Sequence, residues 1–359
     1  MASLSEPSAR LAVLNPRGRD PYLDYGDGPG EPGQGVHAPV NFHAYAAATR
    51  GAFYDSAVKL VRDRQRYAAA IVLIRRRCWI SLDAVRIVKA SGLPVIVAWK
   101  ECGPLQIAHQ LTGRGRALRA YGEILVEADG VVTPTLDPPP CFGPVTPAAF
   151  DAKLFFVPTP YPLESPSWDF SVPEAERSGI LVGTREFRTP ARNHLQAVSR
   201  AASLAHETSA DRVTVINSEG KRGARALREW APAFPPGCLR VVDGPLPYRD
   251  YMNLLATHRV VFQLDRGGVP GQVSGDCLLA RTVCAGGNST VERLAFPSLC
   301  DDGTLLSPAI RERLVRLMQD DDWYRRAVEE SQERARESLG FEAASLRLAE
   351  VVSEIERGR

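Results

Sequence analysis

Short runs that are apolar at nearly every position alternate along this chain with longer stretches whose apolar residues recur every three to four positions. The runs are residues 11–15 (L-A-V-L-N), 69–74 (A-A-I-V-L-I), 94–98 (P-V-I-V-A), 130–133, 153–157, 179–183 (G-I-L-V-G), 212–217, 239–242, 260–264 (V-V-F-Q-L) and 282–285. Continuous apolar runs of this length suit strands covered on both faces, as in a parallel sheet. The stretches between them predict helices over 41–64, 81–90, 105–128 (with a break near Gly113-Arg114-Gly115), 190–207, 221–230, 248–257 and 273–281. Three amphipathic helices rich in Arg/Glu pairs, 308–318, 322–338 and 341–356, close the chain. Strand, helix, strand at this rhythm predicts parallel sheets with right-handed crossovers.

Punctuation divides the pattern. Residues 17–39 form a long loop of Gly, Pro and Asp after the first strand, read as a ligand-binding loop. Residues 158–178 hold five prolines with Tyr161, Trp168 and Phe170 between them, the composition of a stiff linker with aromatic anchors. The expected organisation is a Rossmann-like domain over 1–160, a linker over 161–178, a second Rossmann-like domain over 179–338 and a C-terminal helix over 339–359. The fold class is α/β, with two αβα domains facing across a cleft and C-terminal helices that cross back to the first.

Composition narrows the function classes. The 359 residues are 44% apolar and 24% charged, a soluble globular profile. The net charge is +2, from 44 basic and 42 acidic residues. Bulk charge thus argues for no nucleic-acid or membrane partner and leaves room only for a local basic site. No apolar run approaches the ~20 residues of a membrane span, and the first ten residues lack a signal peptide's apolar core, so a cytoplasmic location is expected. The seven cysteines are scattered, without a C-x-x-C pair, which supports neither a disulfide framework nor a zinc site. Oligomeric state is not readable.

A cleft at the C-terminal strand edges suits a nucleotide-bearing ligand. Its diphosphate wants backbone N–H groups and a fixed cation, and its ribose a carboxylate. The candidates gather in residues 260–297 and just after the strand at 179–183. No convincing dinucleotide fingerprint follows the first strand, which weakens a dehydrogenase reading.

The second half resembles the donor domain of GT-B glycosyltransferases, especially retaining enzymes that use nucleotide sugars. Val182-Gly183-Thr184-Arg185, followed by Arg188, Arg192 and Asn193, is similar to that family's V-G-R-type turn and its basic follower. Asp265-Arg266-Gly267-Gly268-Val269-Pro270 resembles the opening of its Glu-x7-Glu signature, and the run from Asp276 to Ala285 resembles the continuation, with Asp for Glu at both acids. The acids stand eleven positions apart, so about three residues are inserted and the loop is longer than in relatives.

The resemblance implies a transferase that moves a sugar from a nucleotide-diphosphate sugar (UDP-, GDP- or dTDP-linked) to a small-molecule or cell-envelope acceptor. Retention and independence of metal are implied, with no tightly bound cofactor. Arg185, supported by Arg188 and Arg192, would neutralise the diphosphate. Asp276 would bind the ribose from its helix start, and Asp265 the sugar or its diphosphate loop. Gly268, Val269, Pro270, Gly271, Gln272 and Ser274 would line the donor loop; Gly286, Gly287 and Asn288 would present amides to it. In the first half, Lys100 and Glu101 stand where relatives place a His, as catalytic candidates. His43 joins them on the acceptor edge, and Gln34 and Gly35 belong to an amide-lined phosphate loop. The same fold admits a sugar-nucleotide epimerase, a phosphorylase, or a non-enzymatic two-lobed nucleotide-sugar sensor.

Overall fold

The computed structural model describes residues 9–33, 42–100, 103–141, 143–183, 186–187, 189–301, 303–304 and 306–358. The chain forms two compact units, divided between Ser165 and Pro166 and again between Glu337 and Ser338, so the C-terminal segment rejoins the first unit.

The first unit is built on seven strands: β1 (Leu11–Leu14), β2 (Leu23–Asp24), β3 (Ala52–Tyr54), β4 (Ala69–Ile74), β5 (Val95–Trp99), β6 (Gly130–Thr133) and β7 (Leu154–Phe156). Their order is β2-β3-β1-β4-β5-β6-β7. All neighbours pair in parallel except β2, which runs antiparallel to β3 at the edge. β1 and β4 are buried at every position, which is why their sequences are unbroken apolar runs. Each fully buried Leu, Ile or Val contributes about 1.5–3 kcal/mol.

The helices of this unit are α1 (His43–Ala48), α2 (Ala57–Arg62), α3 (Cys78–Ala90), α4 (Pro104–Leu111), α5 (Gly115–Glu127) and α6 (Pro147–Asp151). The single helix predicted over 41–64 is instead α1, strand β3 and α2. The cause is at Gly51, where a Cβ would lie 1.8 Å from the carbonyl oxygen of Leu11. Only glycine lets the chain pass the start of β1 so closely and enter the sheet as β3. The helical stretch over 105–128 is divided into α4 and α5 at the break expected near Gly113, which sits at φ +69. The terminal helix Phe341–Gly358 packs on α1, and Tyr161 N–H donates to the carbonyl of Leu339 at 2.7 Å. The predicted return of the C-terminus to the first domain is therefore observed.

The second unit holds β8 (Ile180–Val182), β9 (Val213–Asn217), β10 (Leu239–Asp243), β11 (Val260–Phe262) and β12 (Val283–Ala285), all parallel, in the order β10-β9-β8-β11-β12. Its helices are α7 (His194–Thr208), α8 (Gly220–Trp230), α9 (Tyr248–Ala256), α10 (Gln272–Leu279), α11 (Thr290–Ala295), α12 (Pro308–Gln319) and α13 (Asp321–Leu339). Trp168, from the proline-rich stretch, is fully buried, and Phe170 N–H donates to Leu279 O at 2.9 Å. The chain order reverses between β8 and β11, and between β1 and β4 in the first unit. In open parallel sheets the crevice beyond such a reversal is where ligands bind.

Candidate functional site

The reversal between β8 and β11 brings two loops together. One leads from β8 to α7, the other from β11 to α10. Asp265, three residues beyond β11, is 2% exposed. One of its carboxylate oxygens accepts the Gly267 N–H at 2.7 Å, and the other accepts Nη1 of Arg192 from the first loop. Arg192 Nε donates to Glu186 Oε2 at 3.0 Å. Burial alone would lower the Arg192 pKa, but Asp265 and Glu186 more than offset it and hold the guanidinium charged. Asn193 accepts the left-handed conformation at φ 48, and its Nδ2 donates to Leu264 O at 2.8 Å. Arg266 N–H donates to Ala191 O at 2.7 Å. The two loops are thus joined by both side chains and backbone.

A third loop, after β12, completes the arrangement. Asn288 N–H donates to Asp265 O at 2.9 Å, and its Oδ1 accepts the Gly268 N–H at 3.3 Å. Thr290 N–H donates to Val269 O at 2.9 Å and Val291 N–H to Pro270 O at 3.2 Å. Gly271 sits at φ +101, and a Cβ there would lie 2.3 Å from Ser289 Oγ. Beneath these loops, Ser289 caps α11 and accepts the Glu292 N–H at 3.3 Å. Glu292, fully buried, accepts the N–H groups of Gly287 and Ser289, each at 3.0 Å. Burial pushes its carboxyl above the ordinary value, although bonds from Ser289 and Gln263 oppose this. Ser274 Oγ lies 3.1 Å from Ser289 Oγ and accepts Gln263 Nε2 at 3.3 Å. Arg266 forks onto both oxygens of Asp301, at 2.7 and 3.2 Å.

Asp276 lies one turn inside α10 rather than at its start, and is 2% exposed. Its Oδ1 accepts the Tyr248 hydroxyl at 2.8 Å, from the first residue of α9. The Tyr248 ring adjoins Trp168, Phe170 and Tyr251, each with centroids 6.3 Å away.

The structure therefore brings Arg192, Asp265, Gly268, Val269, Pro270, Gly271, Gly286, Gly287 and Asn288 into one set of adjoining loops, with Gln272, Ser274 and Asp276 on α10, which follows. Arg185, Arg188, Glu101, Gln34 and Gly35 lie outside the described residues. Lys100 belongs to the first unit, where its N–H donates to Ile74 O at 3.1 Å at the end of β4. His43, also there, is buried. Its ring stacks on Phe53 at 3.5 Å, Tyr25 Oη lies 3.0 Å from Nδ1, and Asp20 Oδ2 is 3.7 Å from Nε2. Among the described residues no group of three or more His, Cys, Asp or Glu side chains could hold a metal ion.

Sequence reasoning passed over Glu292 and Tyr248. Glu292 had a signal, since Ser289-x-x-Glu292 is the capping-box spacing. Tyr248 had none, because its partner is 28 positions away.

No family model and no curated protein matches the sequence. Solved structures do match the fold. An alpha-glucosyltransferase in complex with UDP-glucose and DNA containing an abasic site superposes with a TM-score of 0.58 at 10% identity, covering 96% of this chain and 99% of that one. An alpha,alpha-trehalose 6-phosphate synthase from Burkholderia multivorans gives 0.59 at 10% identity, with 98% and 97% covered. S. aureus TarM, in complex with fondaparinux, alpha-GlcNAc-glycerol and UDP, gives 0.54 at 8% identity over 82% of this chain, which spans 58% of that protein's length. With its two mostly parallel sheets and flanking helices, the chain has the GT-B fold of the glycosyltransferases it resembles.

Proposed function

We propose that the protein is a glycosyltransferase that takes a sugar from a nucleoside-diphosphate sugar, with the diphosphate bound where β8 and β11 part. The observation that carries this reading is the Arg192–Asp265 pair, set among glycine-rich loops at the reversal of strand order. A departing diphosphate needs a fixed cation, and the Arg192 guanidinium among these loops supports that reading. The guanidinium is held by carboxylates on two sides, so it is oriented before any ligand arrives. The resemblance of the fold to proteins in complex with UDP or UDP-glucose supports the same ligand class.

In the proposed reaction the bond between the sugar C1 and the diphosphate oxygen breaks, and the acceptor oxygen bonds to C1. The acceptor proton passes to the departing diphosphate. Arg192, with Arg185 and Arg188 from the same loop, stabilises the charge that develops on the leaving oxygens. Asp276, oriented by Tyr248, takes the ribose hydroxyls. Lys100 and Glu101 serve the acceptor side in the first unit, and His43 shapes that side through Asp20 and Tyr25. No metal ion is needed for these roles, and retention follows the family whose acidic motif the chain resembles.

The test is release of nucleoside diphosphate from UDP-, GDP- and dTDP-sugars, with and without an acceptor panel. Acceptor-dependent release from one nucleotide class supports the reading. Conversion of the donor sugar without acceptor would replace it with epimerisation, and tight binding without turnover would replace it with sensing.

A further inference from the structure

Some of this protein's arginines have carboxylate partners among the described residues. Arg86 bridges Glu123 and Glu127, Arg266 holds Asp301, and Arg259, Arg281, Arg311, Arg316 and Arg325 each have an acid. One group does not. Arg17 follows β1, and Arg75, Arg76 and Arg77 follow β4, on either side of the reversal in the first unit's sheet. Arg114 caps α5, and Arg116 lies in its first turn. Among the described residues none of these six ion-pairs with a carboxylate. The acids on the same elements, Asp20 and Asp83, pair with none of them.

Chain order, two hydrogen bonds and one ring contact place the six along one edge. Arg75 Nη1 donates to the carbonyls of Pro16 and Arg17, at 3.1 and 2.9 Å, across the strand reversal. The Arg116 guanidinium lies 4.4 Å from the centroid of the Trp79 ring, which ties the start of α5 to the start of α3. Helices α3 and α5 both begin at the C-terminal edge of the sheet, since each leads back to the start of the next strand. Arg17, Arg76, Arg77 and Arg116 are exposed. The cations therefore form a row from β1 past β4 to α5, in a chain whose net charge is only +2.

We propose that this row binds the phosphodiester backbone of nucleic acid. A single phosphate group carries at most about two negative charges, too few to answer six guanidiniums, so a polyanion is called for. The row crosses several elements rather than following one helix, which suits a linear chain. Arginine rather than lysine suits phosphate oxygens, which its fork engages in pairs. A membrane surface fits less well. Helices α4 and α5 turn their apolar faces inward, burying Ile107 and Leu111, and Ala117, Tyr121 and Ile124. Neither offers a continuous apolar face to a bilayer; Leu105 on α4 and Leu118 and Val126 on α5 are exposed at separate positions. This is a claim about binding in the first unit, and it stands or falls apart from the donor site in the second.

The test is fluorescence anisotropy of labelled single-stranded DNA and its duplex with the full chain, across a salt series. The same protein is sedimented with vesicles of phosphatidylcholine and phosphatidylglycerol. Binding should weaken steeply with salt. The triple variant Arg17→Gln, Arg76→Gln, Arg77→Gln should bind at least about tenfold more weakly, with a log–log salt slope shallower by about 2, since each neutralised phosphate on a single strand contributes about 0.7. Removing as much charge from α8, by Arg222→Gln, Arg225→Gln and Arg228→Gln, should leave binding intact. Absence of DNA binding, equal loss in both triple variants, or capture by vesicles but not by DNA would each overturn the proposal. The Tm shift given by nucleoside diphosphates, measured on the same variants, reports the donor site separately.

Discussion

Arg192 donates to the buried carboxylate of Asp265, a residue 73 positions away, across the gap where the second sheet reverses its strand order. The pair joins the two loops on which the proposed diphosphate site depends. Asp265 has almost no solvent to compensate it. Arg192→Ala should therefore destabilise the second unit by about 1–3 kcal/mol, the cost of leaving a buried acceptor unmet. Asp265→Asn should cost less, because its amide still accepts from Arg192. Urea unfolding of the two single variants and the Arg192→Ala/Asp265→Asn double variant gives the coupling energy, expected to exceed about 0.5 kcal/mol. Additive single effects would show that the pair is not a unit.

Tyr248 gives a sharper separation of binding from stability. Its hydroxyl orients Asp276, while its ring keeps its place among Trp168, Phe170 and Tyr251. Tyr248→Phe should cost only about 1 kcal/mol of stability. Donor KM should rise several-fold with kcat little changed, because a ribose contact is made equally in ground and transition states. A fall in kcat at unchanged KM would place Tyr248 elsewhere in the reaction.

Glu292 should give the second unit a dependence on pH that a glutamine removes. Its folded carboxyl is held above the ordinary value of 4.5, chiefly by burial. A group raised in this way favours folding fully below its unfolded pKa, and the benefit is lost as pH rises through the folded value. Relative to Glu292→Gln, the native protein should lose stability as pH climbs above 4.5. Parallel stability curves for the two proteins would contradict this.

His258 acts in the opposite direction. It is fully buried, with Nδ1 2.7 Å from Leu254 O and Nε2 2.8 Å from Thr214 Oγ1. The carbonyl can only accept, so Nδ1 carries the proton and Nε2 accepts from the threonine, which leaves the ring neutral. Burial pulls its pKa down from 6.5 to about 4. Its contribution is present above pH 6.5 and lost as pH falls towards 4, by up to roughly 3 kcal/mol at about 1.36 kcal/mol per unit. His258→Gln should flatten acid unfolding of the second unit over that window, followed by circular dichroism.

Much of the fold could be read because strands such as β1 and β4 are covered on both faces and leave unbroken apolar runs. The error over 41–64 came from a tertiary cause. Residues Ala52–Tyr54 follow closely on the alanine-rich stretch 44–48 and read as part of its helix, whereas the approach of Gly51 to the Leu11 carbonyl lets them enter the sheet as a strand. In the candidate site, Arg192 and Asp265 were both singled out by motif, but a contact over 73 positions is not written locally. Glu292 was written, in the Ser289-x-x-Glu292 spacing, and was passed over. The three arginines at 75–77 are plain in the sequence, yet their meeting with Arg17 and Arg116 depends on strand order and helix direction. Bulk charge therefore concealed the basic edge.

The most direct measurement is the thermal shift of the native protein and of Arg192→Ala with UDP, GDP, dTDP and their sugars. Binding to the folded state stabilises by RT ln(1 + [L]/Kd), about 2.7 kcal/mol at a hundredfold excess over Kd. One nucleotide class should raise the Tm of the native protein clearly, and the rise should shrink or vanish in Arg192→Ala. No shift with any of them at millimolar concentration, or an undiminished shift in the variant, would contradict a diphosphate site between β8 and β11.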